Sequence, residues 1–158
     1  MAIYLQYEKV DGEVTESGHK GWIELQSFQW GVGRGITTPV GSSSKRESSS
    51  PSVSEIVVTK NTDKASPLLF MEATVGKAKK SVIEFTETGG DTQEVYLRFE
   101  MENTLISGYS ISSAGDRPAE SFSLNFTKIE MKYTPYDKDH KAGSPIPAGY
   151  DLTTAKKV

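Results

Sequence analysis

His19 and His140 are the only histidines in the chain, and cysteine is absent. Neither histidine lies at a spacing that would bring two or more ligands to a zinc ion. The lack of cysteine removes thiol nucleophiles, sulfur-ligated metals and disulfides together, and leaves the redox compartment open. His19 reads as a structural residue at the start of a strand.

Other chemistry-like patterns dissolve on inspection. Asp137-Lys138-Asp139-His140-Lys141 opens like a calcium loop. Ala142 then stands where the sharp turn needs glycine, and Ala148 where a bidentate glutamate belongs, so the run reads as a solvated charge cluster. Gly31-Val32-Gly33-Arg34-Gly35-Ile36 has the look of a phosphate-cradling loop, but Ile36 replaces its third glycine and no helix follows to offer amides. Asn125-Phe126-Thr127 fits a glycosylation sequon, yet Phe126 belongs to an alternating apolar face. Glu84, Glu87, Glu100 and Glu102 are scattered along strand-like segments without a pattern that names an acid and a base. Trp22, Phe28 and Trp30 share one parity and suit a core, a subunit interface or a sugar-stacking platform. No catalytic, cofactor-binding or metal-binding residues are expected, and no enzyme.

The elements that would position these residues are mostly strands. Ile3, Leu5 and Tyr7 alternate at once, and His19 to Trp30 reads as a longer strand rich in aromatic and branched residues. Ser54 to Lys60, Ser81 to Glu87, Glu94 to Asn103 and Leu105 to Ser113 follow, with reversals at Gly89-Gly90 and Gly115-Asp116-Arg117-Pro118. In Glu120 to Tyr133 the apolar parity runs through Phe122, Leu124 and Phe126 and resumes at Ile129, which predicts a bulge or sharp bend at Thr127-Lys128. Asp63 to Gly76 supplies the single helix: Ser66 suits the N-cap, Pro67 the first helical position and Gly76 the position after the C-cap. Between the strands, residues 31–52 are rich in Gly and Ser, hold Pro39 and Pro51, and read as one long loop. Residues 136–158 read as an irregular C-terminal tail on the surface.

A chain of 158 residues, 35% hydrophobic and 25% charged, fits one domain over residues 1–158. About seven strands and one helix predict a mainly β fold, an antiparallel β-barrel closed or nearly closed so that its edges are satisfied, with one short flanking α-helix and a long extended loop. A net charge of −3 gives no concentrated basic field, so nucleic acid is not an expected partner. The N-terminus lacks the basic region and apolar run of a Sec signal, and no stretch reaches the roughly 18 apolar residues of a membrane span.

Several segments, in order, resemble the Hcp family, the tube subunits of type VI secretion, which are similar to phage tail-tube proteins. They are His19 with Trp22-Ile23 through Ser27-Phe28-Gln29-Trp30-Gly31; Val58-Thr59-Lys60 with Asp63-Lys64-Ala65-Ser66-Pro67-Leu68-Leu69; Leu105-Ile106-Ser107; and Glu120-Ser121-Phe122-Ser123-Leu124-Asn125-Phe126 leading to Ile129 and Tyr133-Thr134-Pro135. The resemblance implies homo-hexameric rings that stack into a hollow tube. It implies sheath, spike and effector proteins as partners, and export from the cytoplasm to the exterior or a target cell without a Sec signal. By position, Gln29 matches a lumen-facing cargo contact, and Gly31, Gly33, Arg34, Gly41, Lys45, Arg46 and Glu47 fall in the family's inter-subunit, ring-stacking loop. His19, Trp22, Trp30, Asp63, Ser66, Pro67 and Gly76 carry structural roles. Lys45-Arg46-Glu47 among serines departs from a glycine-dominated loop and puts the stacking register in question. With no long extension beyond the barrel, the expected form is the plain subunit without a fused effector. Two other readings are a tail-tube subunit of another contractile injection apparatus and a carbohydrate-binding β-sandwich.

Overall fold

The computed structural model describes residues 1–41 and 46–158. Strands β1 (Ala2–Tyr7), β2 (Ile23–Leu25) and β3 (Ser27–Gln29) are followed by four two-residue strands, β4 (Val32–Gly33), β5 (Ile36–Thr37), β6 (Glu47–Ser48) and β7 (Ser52–Val53). Strand β8 (Ile56–Asn61) leads to helix α1 (Ser66–Val75), and then come β9 (Lys79–Gly89), β10 (Thr92–Ser112), β11 (Ala119–Asn125), β12 (Lys128–Tyr133), β13 (Ile146–Asp151) and β14 (Lys156–Lys157). Alternation sends one side chain in two to a common core, where Leu5, Ile23, Ile56, Val58, Ile83, Met101 and Leu124 are fully buried.

Antiparallel ladders follow one another round that core. Strand β3 pairs with β8, β8 with β11, β11 with β10, β10 with β9, β9 with β1, and β1 with β2. The circuit is interrupted at Gln26, between β2 and β3, where the backbone N–H donates to Thr59 O at 2.7 Å. The closed or nearly closed barrel expected from the sequence is a barrel-like sheet without a continuous closing ladder. Parity explains the interruption: Ile23 and Leu25 point inward before Gln26 and Phe28 after it, so one extra residue flips the strand. The expected unbroken strand from His19 to Trp30 is corrected accordingly, and His19 sits in the turn before β2 rather than at a strand start.

The two segments read as Glu94 to Asn103 and Leu105 to Ser113 form one 21-residue strand. Its first half pairs with β9 and β12 and its second with β11. The change of partner falls at Asn103, whose φ of 53° is left-handed, a conformation asparagine tolerates better than most residues. Opposite it, β11 stops at Asn125 and β12 starts at Lys128, so the break lies where the parity of Phe126 and Ile129 places it.

Two segments are more ordered than their composition suggests. Residues 31–41 and 46–53 form an arm with two antiparallel rungs, Val32–Val53 with Gly33–Ser52, and Ile36–Ser48 with Thr37–Glu47. Serine hydroxyls hold it: Gly31 N–H donates to Ser54 Oγ at 3.0 Å and Gly35 N–H to Ser49 Oγ at 2.9 Å. The tail is not irregular either, because β13 pairs with β12 over six residues and β14 pairs with the end of β13. Pro147 is tolerated there because β13 is nearly an edge strand.

Helix α1 starts one residue earlier than predicted. Ala65 occupies the N-cap without a side-chain bond, and Ser66 is the first helical residue. Gly76 is the C-cap itself, in extended rather than left-handed conformation, and a Cβ there would lie 2.4 Å from Glu72 O. Close approach, not positive φ, requires this glycine.

Candidate functional site

Gln29 lies on β3 with its side chain exposed, because its neighbour Phe28 packs inward against Phe85 and Phe99 with ring centroids 5.1 and 4.9 Å apart. Trp30 continues that anchor, edge-on to Phe99 at 5.7 Å. Trp22 stands apart from both, T-shaped against the His19 ring at 4.7 Å, so the three aromatics do not assemble into one stacking platform. On the exposed face around Gln29, Ser27 Oγ and Thr59 Oγ1 are 2.5 Å apart, and Ser107 Oγ lies 2.8 Å from Ser123 Oγ and also donates to Glu55.

The arm carries the remaining family-matched positions. Gly31 precedes the first rung and Gly33 lies in it, both with open space where a Cβ would sit. Gly41 has a φ of +84°, which favours glycine outright. Arg34 lies exposed between the rungs, Glu47 is in the second rung, and Arg46 Nε–H donates to Thr38 Oγ1 at 3.2 Å. Lys45 lies outside the described residues. Val32, Ile36 and Val40 are exposed along the arm. At its root Val32, Pro51 and Val53 meet Trp30, Met131 and Tyr150 in an apolar groove.

His19 is buried at the centre of an ionic chain. Its Nδ1 pairs with Glu16, its Nε2 lies 2.8 Å from Glu84 Oε1, and its ring stacks on Tyr4 at 4.6 Å. Arg98 Nη1 donates to Glu84 Oε2 at 2.5 Å and Nη2 to Glu100 Oε2 at 3.3 Å, while Lys80 Nζ lies 2.8 Å from Glu100 Oε1. The hydrogen bond to His19 holds the Glu16 carboxyl below the usual range, and that to Lys80, helped by Arg98, does the same for Glu100. The chain fastens the loop before β2 onto the outer face of β9. On that face β9 buries Val82, Glu84 and Thr86 as well as its core residues, with Thr86 Oγ1 bonded to Ala2 O and Gln93 Oε1.

A second buried cluster anchors α1. Lys60 Nζ contacts Asp63 Oδ1 at 2.9 Å, Ser66 Oγ at 3.0 Å and Glu120 Oε1 at 3.2 Å, and Ser66 Oγ–H donates to Glu120 Oε2 at 2.5 Å. Asp63 N–H donates to Ser66 Oγ, so that hydroxyl, expected to cap the helix, instead ties it to β8 and β11. Pro67 follows in the first turn, where its missing N–H costs nothing. Burial raises the Glu120 carboxyl, but bonds from Ser66, Thr62 and Tyr109 and the Lys60 ammonium outweigh it and hold it low. The Tyr109 hydroxyl is pushed up to about 12 by burial and by the Glu120 carboxylate. Lys60 and Glu120 are structural residues that motif reasoning passes over. The signal for them was present, since both occupy core parity between Val58 and Phe122.

The acidic run Asp137 to Lys141 closes on itself: Asp137 Oδ1 accepts the amides of Asp139 and Lys141, both at 2.9 Å. Glu102 pairs loosely with Lys128 at 3.9 Å, while Glu87 lies on β9 in register with Glu94, so the four scattered carboxylates do not converge on one point.

The molecule is thus of the barrel-like antiparallel class with one flanking helix and a projecting arm, and its buried ionisable clusters hold segments together. The chain belongs to the Hcp family of type VI secretion: the family model for "Type VI secretion system effector, Hcp" matches residues 4–133. The protein hcp1 of Pseudomonas aeruginosa is 31% identical over 104 residues, a match that spans 63% of this chain and 64% of that relative's length. A solved type six secretion system protein superposes with a TM-score of 0.92 at 32% identity, covering 99% of both chains. Hcp1 from Salmonella typhimurium superposes at 0.81 with 25% identity over 99% of this chain and 98% of its own. The family is one of secreted tube components rather than of enzymes. Among the described residues no helix is long and apolar enough to cross a membrane.

Proposed function

We propose that this chain, acting as one unit over residues 1–158, is the structural subunit of a type VI secretion tube. Six copies close a ring, rings stack into a hollow tube, and effector cargo travels in the lumen against the face that carries Gln29. The loop of residues 31–52, which lies in the arm, reaches to a neighbouring subunit or ring. Before firing the tube assembles in the cytoplasm within its sheath and beneath its spike, and it then leaves the cell without a Sec signal. The observation that supports this reading most is the superposition on a type six secretion system protein over 99% of both chains, arm and tail included.

Mass by light scattering, paired with negative-stain images of the purified protein, tests it. A six-subunit mass with open-centred rings is expected. A strict monomer at every concentration would overturn the reading.

A further inference from the structure

His19 is buried with a carboxylate on each ring nitrogen. Nδ1 faces Glu16, and Nε2 lies 2.8 Å from Glu84 Oε1. The other oxygen of each carboxylate is already taken: Glu16 Oε1 accepts Gly18 N–H at 3.1 Å, and Glu84 Oε2 accepts from the Arg98 guanidinium, which is always charged. The bond to His19 also holds the Glu16 carboxyl below the usual range. Two acceptors without protons of their own therefore confront the ring, and a neutral imidazole has one N–H to give them. Its second nitrogen would turn a lone pair toward a carboxylate oxygen in a buried site.

The surroundings suit a ring with two N–H groups. It lies between Tyr4 and Trp22, with ring centroids at 4.6 and 4.7 Å, within reach of a cation–π attraction. Charge along the cluster then alternates without surplus, from Glu16 through His19, Glu84, Arg98 and Glu100 to Lys80. Three further ionisable groups surround the ring. The Tyr4 hydroxyl on β1 donates to Gln93 Oε1 at 3.0 Å, Glu24 on β2 acts on that hydroxyl through its charge, and Lys20 is exposed next to His19 in the loop.

We infer that Glu16, His19 and Glu84 form a two-proton clasp: the tip of the loop before β2, residues 15–20, stays on β9 while both ring nitrogens donate, and loss of one proton releases it. The root of the loop is fixed separately, by buried Val10 and by the backbone bonds of Gly12, Val14 and Gly21. The bonds found for the tip, those of the His19 ring aside, run within residues 15–22 and hold it to nothing else. The proton belongs to the closed form, so closing is favoured as the pH falls and lost as it rises, opposite in sign to the acid loss of a paired carboxylate. Release leaves Glu84 with Arg98 alone and ties the order of this loop to the proton activity of the medium.

The test is nitrogen NMR of the full chain, labelled on histidine and read across rising pH together with the amide protection of Gly18 and His19. Two N–H groups on the His19 ring are expected wherever the tip is protected. When the second is lost, protection of those amides should fall about tenfold or more, the effect of one charge-assisted hydrogen bond, while amides of the β1–β9 ladder keep theirs. Glu16→Gln should separate the two events, because a side-chain amide can accept from a ring N–H or donate to a ring lone pair. His19→Gln, with donors on a single nitrogen, should leave the tip open at every pH. A protected tip around a ring with one N–H in the unaltered chain, a Glu16→Gln tip that opens in step with its ring, or a protected tip in His19→Gln would each overturn the inference.

Discussion

Lys60 shows how much a single side chain carries in this molecule. Its ammonium is completely buried and bridges β8, the start of α1 and β11 through Asp63, Ser66 and Glu120. Removing one member of such a pair strands the other charge in the interior, so Lys60→Ala should cost about 3–5 kcal/mol in a denaturant titration, with Glu120→Gln milder because it keeps shape and leaves the ammonium its Asp63 partner. An unchanged midpoint for Lys60→Ala would mean that Glu120 finds water or another donor. Gln29 is the opposite case, an exposed amide whose fixed neighbour Phe28 aims it outward. Gln29→Trp should leave the unfolding free energy within about 0.5 kcal/mol of the unaltered chain, as surface changes do, while lowering the amount of a co-expressed effector recovered with the rings. Equal recovery would remove Gln29 from the cargo contact. Residue types alone could not separate these two. Lys60 and Glu120 both lie on an inward parity, but only the sheet register, which sets Lys60 opposite Glu120, brings together residues 60 positions apart.

At the scale of elements, the arm is the part most open to change. Its strands are two residues long, its apolar side chains are exposed, and its serine hydroxyls bond backbone amides. Few of its contacts bury apolar surface, so its own stability is small, and it gains order from whatever it packs against. Removing residues 41–50 should therefore preserve folding and rings but shorten or abolish tubes, measured by sedimentation and negative stain. Tubes of normal length would deny the arm a part in stacking. Regular strands are legible because alternation records burial, as Leu5 with Tyr7 and Phe122 with Leu124 show. The arm and tail are not, for the same reason reversed. Val32 and Ile36 face no core, and β13 carries Pro147 and Gly149 on an edge where neither breaks a central ladder. The Gln26 and Asn103 bends are not legible either, the first because both parities from Trp22 to Trp30 contain large apolar residues, the second because Glu94 to Asn103 and Leu105 to Ser113 read as two separate strands.

For the whole molecule, the two ionic clusters set the response to acid. Glu16, Glu100 and Glu120 are all held below the usual carboxylate range when folded, so the unfolded chain binds protons first as the pH falls. Their contribution is complete above the ordinary carboxylate value of about 4.3 and is lost as the pH drops through the lower folded values. Melting temperature should be flat from neutral pH down to about 5 and then decline below about 4.3. The decline should be shallower in a Glu120→Gln, Glu100→Gln double variant, since each substitution removes a titrating group. An equally steep decline in that variant would assign acid sensitivity to other groups.

Strand β10 belongs to two sheets without a joint between them. A pull or push on the sheet with β9 and β12 travels to the one with β11 and β8 along covalent backbone rather than through side-chain packing. Inter-strand bonds lie perpendicular to the strands, so load along β10 strains the ladders to β9, β12 and β11 together rather than one rung at a time. The strand is in effect a tie-rod. A subunit built on it should yield late under axial force, with the arm and β14 detaching well before the barrel gives way.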